Sequence, residues 1–287
     1  MFSNFTKGKS QLRPVLEKLY AKYNRKDFIG TDPVQFVWRY RRRRDREIAA
    51  FLAAGLAYGR VAQIHNSLTR LLAIMGKSPL DFVLNLNHRR KNKLADFRHR
   101  FTAGTDIAEL LELFRHIYAN FESMEQFFCK HMAPDDANII PALDNFCDSL
   151  KRLYAGRHGK EPPRGLRYLL AGPAGKSPAK RLNLFLRWMV RRDNIDTGLW
   201  RSIDPAKLII PLDVHMNRLS GIIGFHNGDS VSLSTALKIT QRFAQITPAD
   251  PTKYDFALTR IGIVDNCTGR LQSNCRNCEL IRFCSRR

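Results

Sequence analysis

Cysteine, acidic residues and long apolar runs are all scarce in this chain of 287 residues. The chain has six cysteines, and its 48 lysines and arginines outnumber 26 acids, which leaves a net charge of +22. The longest uncharged apolar run, residues 48–59, is too short to span a bilayer. The N-terminus lacks the apolar segment that directs secretion. We therefore expect a cytoplasmic protein that contacts no membrane and whose cysteines are not in disulfides.

The sequence also lacks the alternating pattern of β-strands, internal repeats and low-complexity tracts. Helical periodicity takes their place. Residues 48–58 are apolar on all sides, which indicates a helix in the middle of a bundle. A second helix is predicted to begin with Thr105 or Asp106 as its N-cap and to carry one apolar stripe: Ile107, Leu110, Leu111, Phe114 and Ile117. The sequence predicts an all-α fold.

The excess of basic residues indicates a polyanionic partner, and nucleic acid is the usual one. A solvated basic face without a specific ligand is the alternative, and charge alone does not identify an enzyme. The basic clusters are Arg39 with residues 41–44, residues 88–91 with Lys93, Arg98 with Arg100, and Arg187 with Arg191 and Arg192.

Five glycines and four prolines concentrate in residues 155–180. A linker is one interpretation of this stretch, but a short apolar helix, LRYLL, lies between its helix breakers. A helix, a hairpin and a second helix fit the pattern better. Ser177 is a good N-cap for the second helix and Pro178 fits its first position, so that Lys180 lies in the first turn.

Two charged residues, Lys180 and Asp213, lie at positions that suit a catalytic role. The positive end of the helix dipole opposes a charge on Lys180 and favours a neutral, nucleophilic amine, although a tolerated surface lysine is the alternative. Asp213 follows an apolar run and precedes a helix, which is the ordinary place of an N-cap. Backbone N–H groups would hold such a carboxylate rigid and ionised, so it can serve electrostatics or proton transfer if it faces a cleft.

Four of the six cysteines lie in residues 267–284, separated by seven, two and five residues. Metal binding explains this spacing better than disulfides do in a reducing compartment. Four thiolates suit an iron–sulfur cluster or a zinc ion. The other two, Cys129 and Cys147, lie in helical patterns and are predicted to be core residues.

Taken together, these features resemble the helix-hairpin-helix DNA glycosylases of the endonuclease III superfamily. The matching segments are LLAGPAGKSPAKRLNLFL, IIPLDVHMNRL and KYDFALTRIGIVDNCTGRLQSNCRNCELIRFC, within residues 165–287. The sequence departs from that family in a longer first cysteine gap, a longer hairpin and an insertion near residues 194–207. The phrases RLNLFLRWMVR and IPLDVH are also similar to a bacterial family of this length, and that similarity implies no function.

The resemblance implies a monomeric, nucleoid-associated DNA glycosylase with AP-lyase activity, acting on a damaged base, such as an oxidised one, in double-stranded DNA. Lys180 would be the nucleophile that forms a Schiff base, with Lys176 of the longer hairpin as its rival, and Asp213 would stabilise the developing positive charge. The resemblance implies a [4Fe-4S] cluster, with zinc as the alternative, on Cys267, Cys275, Cys278 and Cys284. It implies DNA contacts at Gly172, Gly175, Lys176, Ser177, Tyr58, Arg60 and Arg270.

The resemblance also implies two helical lobes with the hairpin between them. Residues 30–190 would form a bundle that ends in the hairpin, and residues 1–29 with 195–287 would form the lobe that carries the four-cysteine loop. Two other functions stay open. One is a monofunctional glycosylase in which Asp213 activates water. The other is a non-catalytic nucleic-acid-binding protein whose C-terminus is held by a bound metal and in which Lys180 only contacts phosphate.

Overall fold

Helices dominate the architecture, and the prediction of an all-α fold is confirmed. The computed structural model of the chain describes residues 3–228 and 230–285, and of residues 3–10 it describes the backbone alone. No helix in these ranges is long and apolar enough to cross a membrane. The helices are α1 (Ser3–Tyr23), α2 (Arg43–Gly55), α3 (Val61–Met75), α4 (Pro79–Leu84), α5 (His88–Asn92), α6 (Gly104–Asn120), α7 (Met124–Cys129), α8 (Ile140–His158), α9 (Arg164–Leu169), α10 (Lys180–Val190), α11 (Val214–Ile222), α12 (Leu233–Ala244) and α13 (Asp255–Ile263).

Short irregular elements connect the helices. One antiparallel hairpin, β1 (Arg98–His99) and β2 (Thr102–Ala103), pairs Arg98 with Ala103 and His99 with Thr102. The 3₁₀ turns are Lys26–Thr31, Pro33–Arg39, Pro173–Gly175, Pro205–Lys207, Ser273–Asn277 and Ile281–Phe283.

Helix α2 lies at the centre of the packing, as its apolar composition predicts. Every residue from 47 to 55 is buried, and α2 packs against α10 and the turn Pro33–Arg39. The ring of Phe51 on α2 lies 5.1 Å from Phe114 of α6, 5.1 Å from Phe185 of α10 and 6.3 Å from Phe146 of α8. One buried ring therefore joins four helices, because aromatic side chains bury large areas and pack edge to face.

Helix α6 buries its predicted apolar stripe from Ile107 to Ile117 but begins earlier than expected. The N-cap is Ala103, and the helix starts at Gly104, so neither Thr105 nor Asp106 is the cap. Asp106 instead reaches back from the third position and accepts a hydrogen bond from the Ala103 N–H at 2.8 Å. The helix begins at Gly104 because the chain there lies against Leu94, whose carbonyl oxygen would be 1.7 Å from an added Cβ.

The basic cluster predicted on α10 is mostly buried, which corrects its assignment to the surface. Arg187 and Arg191 are both nearly inaccessible and are surrounded by carboxylates. Arg187 donates to Asp196 at 3.3 Å and to Asp255, and Arg191 donates to Asp250 at 2.8 Å and to Asp196. Burial alone would lower the pKa of each arginine, but the carboxylates outweigh it and raise the pKa of both.

The insertion near residues 194–207 is part of the core. Trp200 is buried, and its Nε1 donates to Glu47 of α2 at 2.9 Å. The backbone N–H groups of Arg201 and Ser202 donate to Glu125 of α7 at 2.6 and 2.7 Å. The insertion therefore positions α2 and α7 by hydrogen bonds to buried carboxylates.

Helix α1 packs against α13, which also contacts α11. Tyr23 of α1 donates to Asp265 at 2.6 Å, and Lys22 pairs with Glu279 at 3.2 Å. The two ends of the chain are thus in contact, as the predicted second lobe requires, while the division into two lobes stays a prediction.

We predict that Asp196→Asn lowers the free energy of unfolding by about 3–5 kcal/mol, because it removes the buried carboxylate that Arg187 and Arg191 share. Urea denaturation measures this change. Asp27→Asn is the matched control, since Asp27 pairs with Arg25 while 70% of its side chain is exposed, and we expect a change below about 1 kcal/mol there. Equal effects of the two substitutions would contradict the role of the buried network.

Candidate functional site

A cleft of about 600 Å³ lies where the N-termini of α10 and α11 meet one side of α13. Both residues that the sequence singles out for chemistry, Lys180 and Asp213, line this cleft. The loop from Ala57 to Gly59 and the segment from Thr31 to Pro33 form further parts of its wall. The size is that of an ordinary small-molecule pocket.

Lys180 is the first residue of α10, and its Nζ donates to the Ala57 carbonyl at 3.2 Å. The expected N-cap at Ser177 is wrong. Ala179 is the cap residue and has a left-handed conformation (φ 43°, ψ 40°), which a right-handed helix cannot include, so the helix begins after it. Ser177 Oγ instead accepts a hydrogen bond from the Ala179 N–H at 3.2 Å.

Asp213 is the N-cap of α11, as its sequence context predicts. Its carboxylate accepts a hydrogen bond from the Met216 N–H at 2.8 Å, and the side chain is half-buried at the cleft wall. The cap fixes the carboxylate, because its orientation is set by the first turn of the helix. Asp213 therefore borders a cleft, which a role in electrostatics or proton transfer requires.

His215 joins the site two residues after Asp213, and sequence reasoning missed it. Its Nδ1 lies 3.0 Å from Arg218 Nη2, which can only donate, so Nδ1 accepts. Burial lowers the pKa of His215; Asp213 opposes this, whereas Arg218, Arg260 and Lys180 lower the pKa further. One neutral imidazole therefore lies within electrostatic range of both Lys180 and Asp213. In the sequence, His215 is the histidine that ends the segment IPLDVH, and its closeness to Asp213 was the signal that could have identified it.

Buried charges from α13 line another part of the cleft. Arg260 donates to Thr31 at 2.9 Å and to Asp32 at 3.2 Å. Burial raises the pKa of Asp255 to about 6, Arg187 opposes this shift, and Asp213 adds to it. Within the described part of the chain, Asp255 Oδ1 and Arg260 Nε are buried without a hydrogen-bond partner. Both side chains line the cleft, so the cleft wall carries a buried carboxylate and a buried guanidinium.

An arginine and two tyrosines line the cleft beside Lys180, and of these three residues only Tyr58 is predicted from the sequence. The guanidinium of Arg181 lies 3.8 Å from the ring centre of Tyr168 and 5.5 Å from that of Tyr58. Arg181 also donates to the Gly55 carbonyl at 2.8 Å and to the Tyr168 carbonyl. These contacts fix the guanidinium against two aromatic faces.

The residues predicted to contact DNA are divided between the cleft and the surface. Ser177 and Tyr58 line the cleft, whereas Gly175, Lys176 and Arg60 are exposed. The remaining two lie apart from them. Gly172 is half-buried where an added Cβ would lie 2.7 Å from Asp144, and Arg270 is exposed beside a polar cavity formed with α11.

The four C-terminal cysteines share one small cavity, which Leu219, Ile261 and Leu280 help to line. Cys275 and Cys278 lie at the two ends of one turn, where the Cys278 N–H donates to the Cys275 carbonyl at 3.2 Å. Burial raises the pKa of the Cys278 thiol, and the neighbouring Cys267 and Cys275 raise it further. Among the described residues, no three His, Cys, Asp or Glu side chains are grouped so as to hold one metal ion.

The other two cysteines lie away from this cavity. Cys147 is fully buried and Cys129 is half-buried against the core, as predicted. Burial raises the pKa of Cys129 to about 11 and that of Cys147 to about 12, which makes both thiols inert.

A family model described as "Protein of unknown function (DUF2400)" matches residues 32–264. The chain belongs to this family. No curated protein and no solved structure matches the chain. The DUF2400 match contains the whole wall of the cleft except Thr31, and it ends before Cys267.

We predict that Gly262→Ala destabilises the protein by about 1–3 kcal/mol, because an added Cβ would lie 2.5 Å from His215 Nδ1 and push the ring from its place. Thermal unfolding measures the effect. Gly156→Ala on α8 is the control, since nothing lies within 4 Å of its added Cβ and alanine is the better helix former by about 1 kcal/mol. A Gly262→Ala protein as stable as Gly156→Ala would show that His215 is not held by this contact.

Proposed function

We propose that the protein is a DNA glycosylase that removes a damaged base and then cleaves the strand through a Schiff base on Lys180. The observation that carries the proposal is the single cleft that Lys180 and Asp213 share. A nucleophilic amine and a fixed carboxylate are the two groups that this reaction requires at the C1′ carbon of the sugar.

The shape and lining of the cleft suit a base turned out of the duplex. Val61, Val214 and Val231 line the cleft and are unusually exposed for their type, at 51%, 65% and 39%. A nucleobase has apolar faces and polar edges, so it matches a wall that combines apolar valines with the charged side chains of Asp255 and Arg260. An enzyme acting on a base must extrude it in this way, because C1′ is not accessible within the stack.

The roles of the two residues follow from their positions. Asp213 is held by the first turn of α11, so its charge would stabilise the positive charge that develops on the sugar as the base leaves. The amine of Lys180 would attack C1′, and the imine that forms would permit β-elimination of the 3′ phosphate. Lys176 is exposed in the hairpin, where an ammonium group facing a phosphate fits better than a nucleophile does.

A monofunctional glycosylase is the second candidate, and one contact favours it. Lys180 Nζ already donates to the Ala57 carbonyl at 3.2 Å, which holds it as a fixed hydrogen-bond donor. In that case Asp213 would activate water, and Lys180 would only stabilise charge. A non-catalytic nucleic-acid-binding protein is the third, and it makes no use of the shared cleft.

The proposal includes a [4Fe-4S] cluster bound by Cys267, Cys275, Cys278 and Cys284. The support for it is that all four thiols line one cavity. Zinc bound by the same four thiols is the alternative. The cluster would fix the segment around Arg270, whose exposed guanidinium would then meet a DNA phosphate. Duplex DNA carrying a damaged base in the nucleoid is the proposed partner.

We predict that borohydride traps the protein covalently on duplex DNA containing an abasic site, and that Lys180→Gln abolishes the trapped species. Glutamine keeps a donor for the Ala57 carbonyl but has no amine, so the cleft stays intact. Gel electrophoresis after reduction measures the adduct. Lys176→Gln is the matched control and should trap normally while binding DNA less tightly. Undiminished trapping in Lys180→Gln would assign the nucleophile to another amine.

We predict that Asp213→Asn slows base release by roughly 100-fold or more, because it removes the charge next to the reacting carbon. Asparagine is an equally good N-cap, so α11 should keep its stability. A base-release assay on lesion-containing oligonucleotides measures the rate. Base release by the wild type without any trapping would favour the monofunctional glycosylase. If the wild type shows neither base release nor trapping, the non-catalytic nucleic-acid-binding protein is the function that stays open.

We predict that the purified protein contains about four iron and about four sulfide ions per chain, and that Cys275→Ser removes most of them. Elemental analysis measures this content. Cys129→Ser is the control, because Cys129 lies outside the four-cysteine cavity. Stoichiometric zinc in the wild-type protein would show that the assigned metal is wrong.

A further inference from the structure

A half-exposed aromatic ring lies next to the cleft at the tip of the β1–β2 hairpin. The register leaves Arg100 and Phe101 as the two residues of the turn. Phe101 is 52% exposed, and Arg98 and Arg100 are exposed beside it. An exposed phenylalanine that follows two exposed arginines differs from an apolar side chain that packs into a core.

The base of the hairpin is held rigidly, so the ring at its tip cannot easily withdraw. His99 is buried, and its ring nitrogens bond Ser67 Oγ at 2.9 Å and the Tyr58 carbonyl at 3.0 Å. The Tyr58 hydroxyl donates to the His99 carbonyl at 2.9 Å and lies 2.7 Å from Thr102 Oγ1.

The turn also brings Arg100 against the wall of the cleft. Arg100 has φ 54°, a left-handed conformation that costs a side-chain-bearing residue about 1 kcal/mol or more. Its side chain lies over the cleft residue Gly59, where an added Cβ would be 3.0 Å from Arg100 Cδ and Nη1. The strained turn therefore fixes a basic group at the cleft edge.

Aromatic faces continue from the tip of the hairpin into the cleft. The Phe101 ring stacks on Tyr58 (4.9 Å between centres, 24° between planes) and meets Tyr168 edge to face at 4.5 Å. Tyr58 and Tyr168 line the cleft and contact the Arg181 guanidinium. Phe101 is the outermost member of this stack, with half of its surface free.

We propose that Phe101 is the surface on which an unpaired DNA base stacks at the mouth of the cleft, with Arg98 and Arg100 contacting the neighbouring phosphates. Every nucleobase has an aromatic face, so such a site takes an unpaired base without sequence preference. The assignment rests on the proposed function only in that it takes DNA as the ligand, and it needs neither Lys180 nor the cluster.

The test measures binding to a duplex in which 2-aminopurine lies opposite a tetrahydrofuran abasic analogue, which leaves one base unpaired. Phe101→Ala and Phe101→Leu should each weaken binding to this duplex by about 5- to 100-fold, and Phe101→Trp should bind like the wild type. Affinity for the fully paired duplex should not change. Bound 2-aminopurine should be brighter in the alanine and leucine variants, because an unstacked base is not quenched. Leu84→Ala on α4, which replaces another exposed apolar residue, is the matched control.

Three results would overturn the assignment. They are wild-type affinity in Phe101→Ala, wild-type affinity in Phe101→Leu (an apolar contact without stacking), and equal losses on paired and unpaired duplexes. Trapping of the wild type by borohydride is measured in parallel. Phe101-dependent binding without trapping or base release would sustain the stacking site and reject the glycosylase. Trapping of the wild type together with normal binding by Phe101→Ala would support the glycosylase and reject the stacking site.

Discussion

Two buried arginines, one on α10 and one directly after it, determine how the cleft is assembled, because a buried guanidinium is stable only with carboxylates around it. Arg187 and Arg191 are enclosed by Asp196, Asp250 and Asp255. These carboxylates belong to the insertion, to the segment before α13 and to α13 itself. Separate parts of the chain must therefore reach one position before the charges are compensated, and that requirement orients α10 relative to α13.

This constraint extends to the chemistry at the other end of α10. Asp255 pairs with Arg187 and also lines the cleft, where the charge of Asp213 acts on it. The helix that is fixed by its buried arginines presents Lys180 at its first turn. Because α10 also packs along the central helix α2, the amine is brought next to the loop that follows α2 and bonds the Ala57 carbonyl.

Local patterns in the sequence predict the elements well and their long-range contacts poorly. The all-α class, the central position of α2, the N-cap role of Asp213 and the core position of Cys147 follow from periodicity and capping preference, which are local properties. The burial of Arg187 does not follow from local patterns, because its partner Asp255 lies 68 residues away along the chain. The start of α10 was misplaced because Ala179 adopts a left-handed conformation that alanine rarely has.

The same reasoning explains which parts of the site were missed. Lys180 and Asp213 could be singled out because each lies at a helix start, where the dipole and the free N–H groups have known effects. Arg181 and Phe101 could not be singled out in this way. Arg181 contacts Tyr168 and Phe101 contacts Tyr58, and these contacts form only when separate segments of the chain pack.

The packing of α1 against α13 has a consequence for how the chain folds during synthesis. Tyr23 and Asp265 are separated by 242 residues, and Tyr254 bonds Glu17 across 237. Contacts of such long sequence separation form late, because the intervening chain must first be made and ordered. The apolar residues Leu16 and Leu19 of α1 are buried in the fold, and α13 is made more than 200 residues after them. Until α13 is made, α1 lacks this packing partner, and apolar surface exposed during folding promotes aggregation.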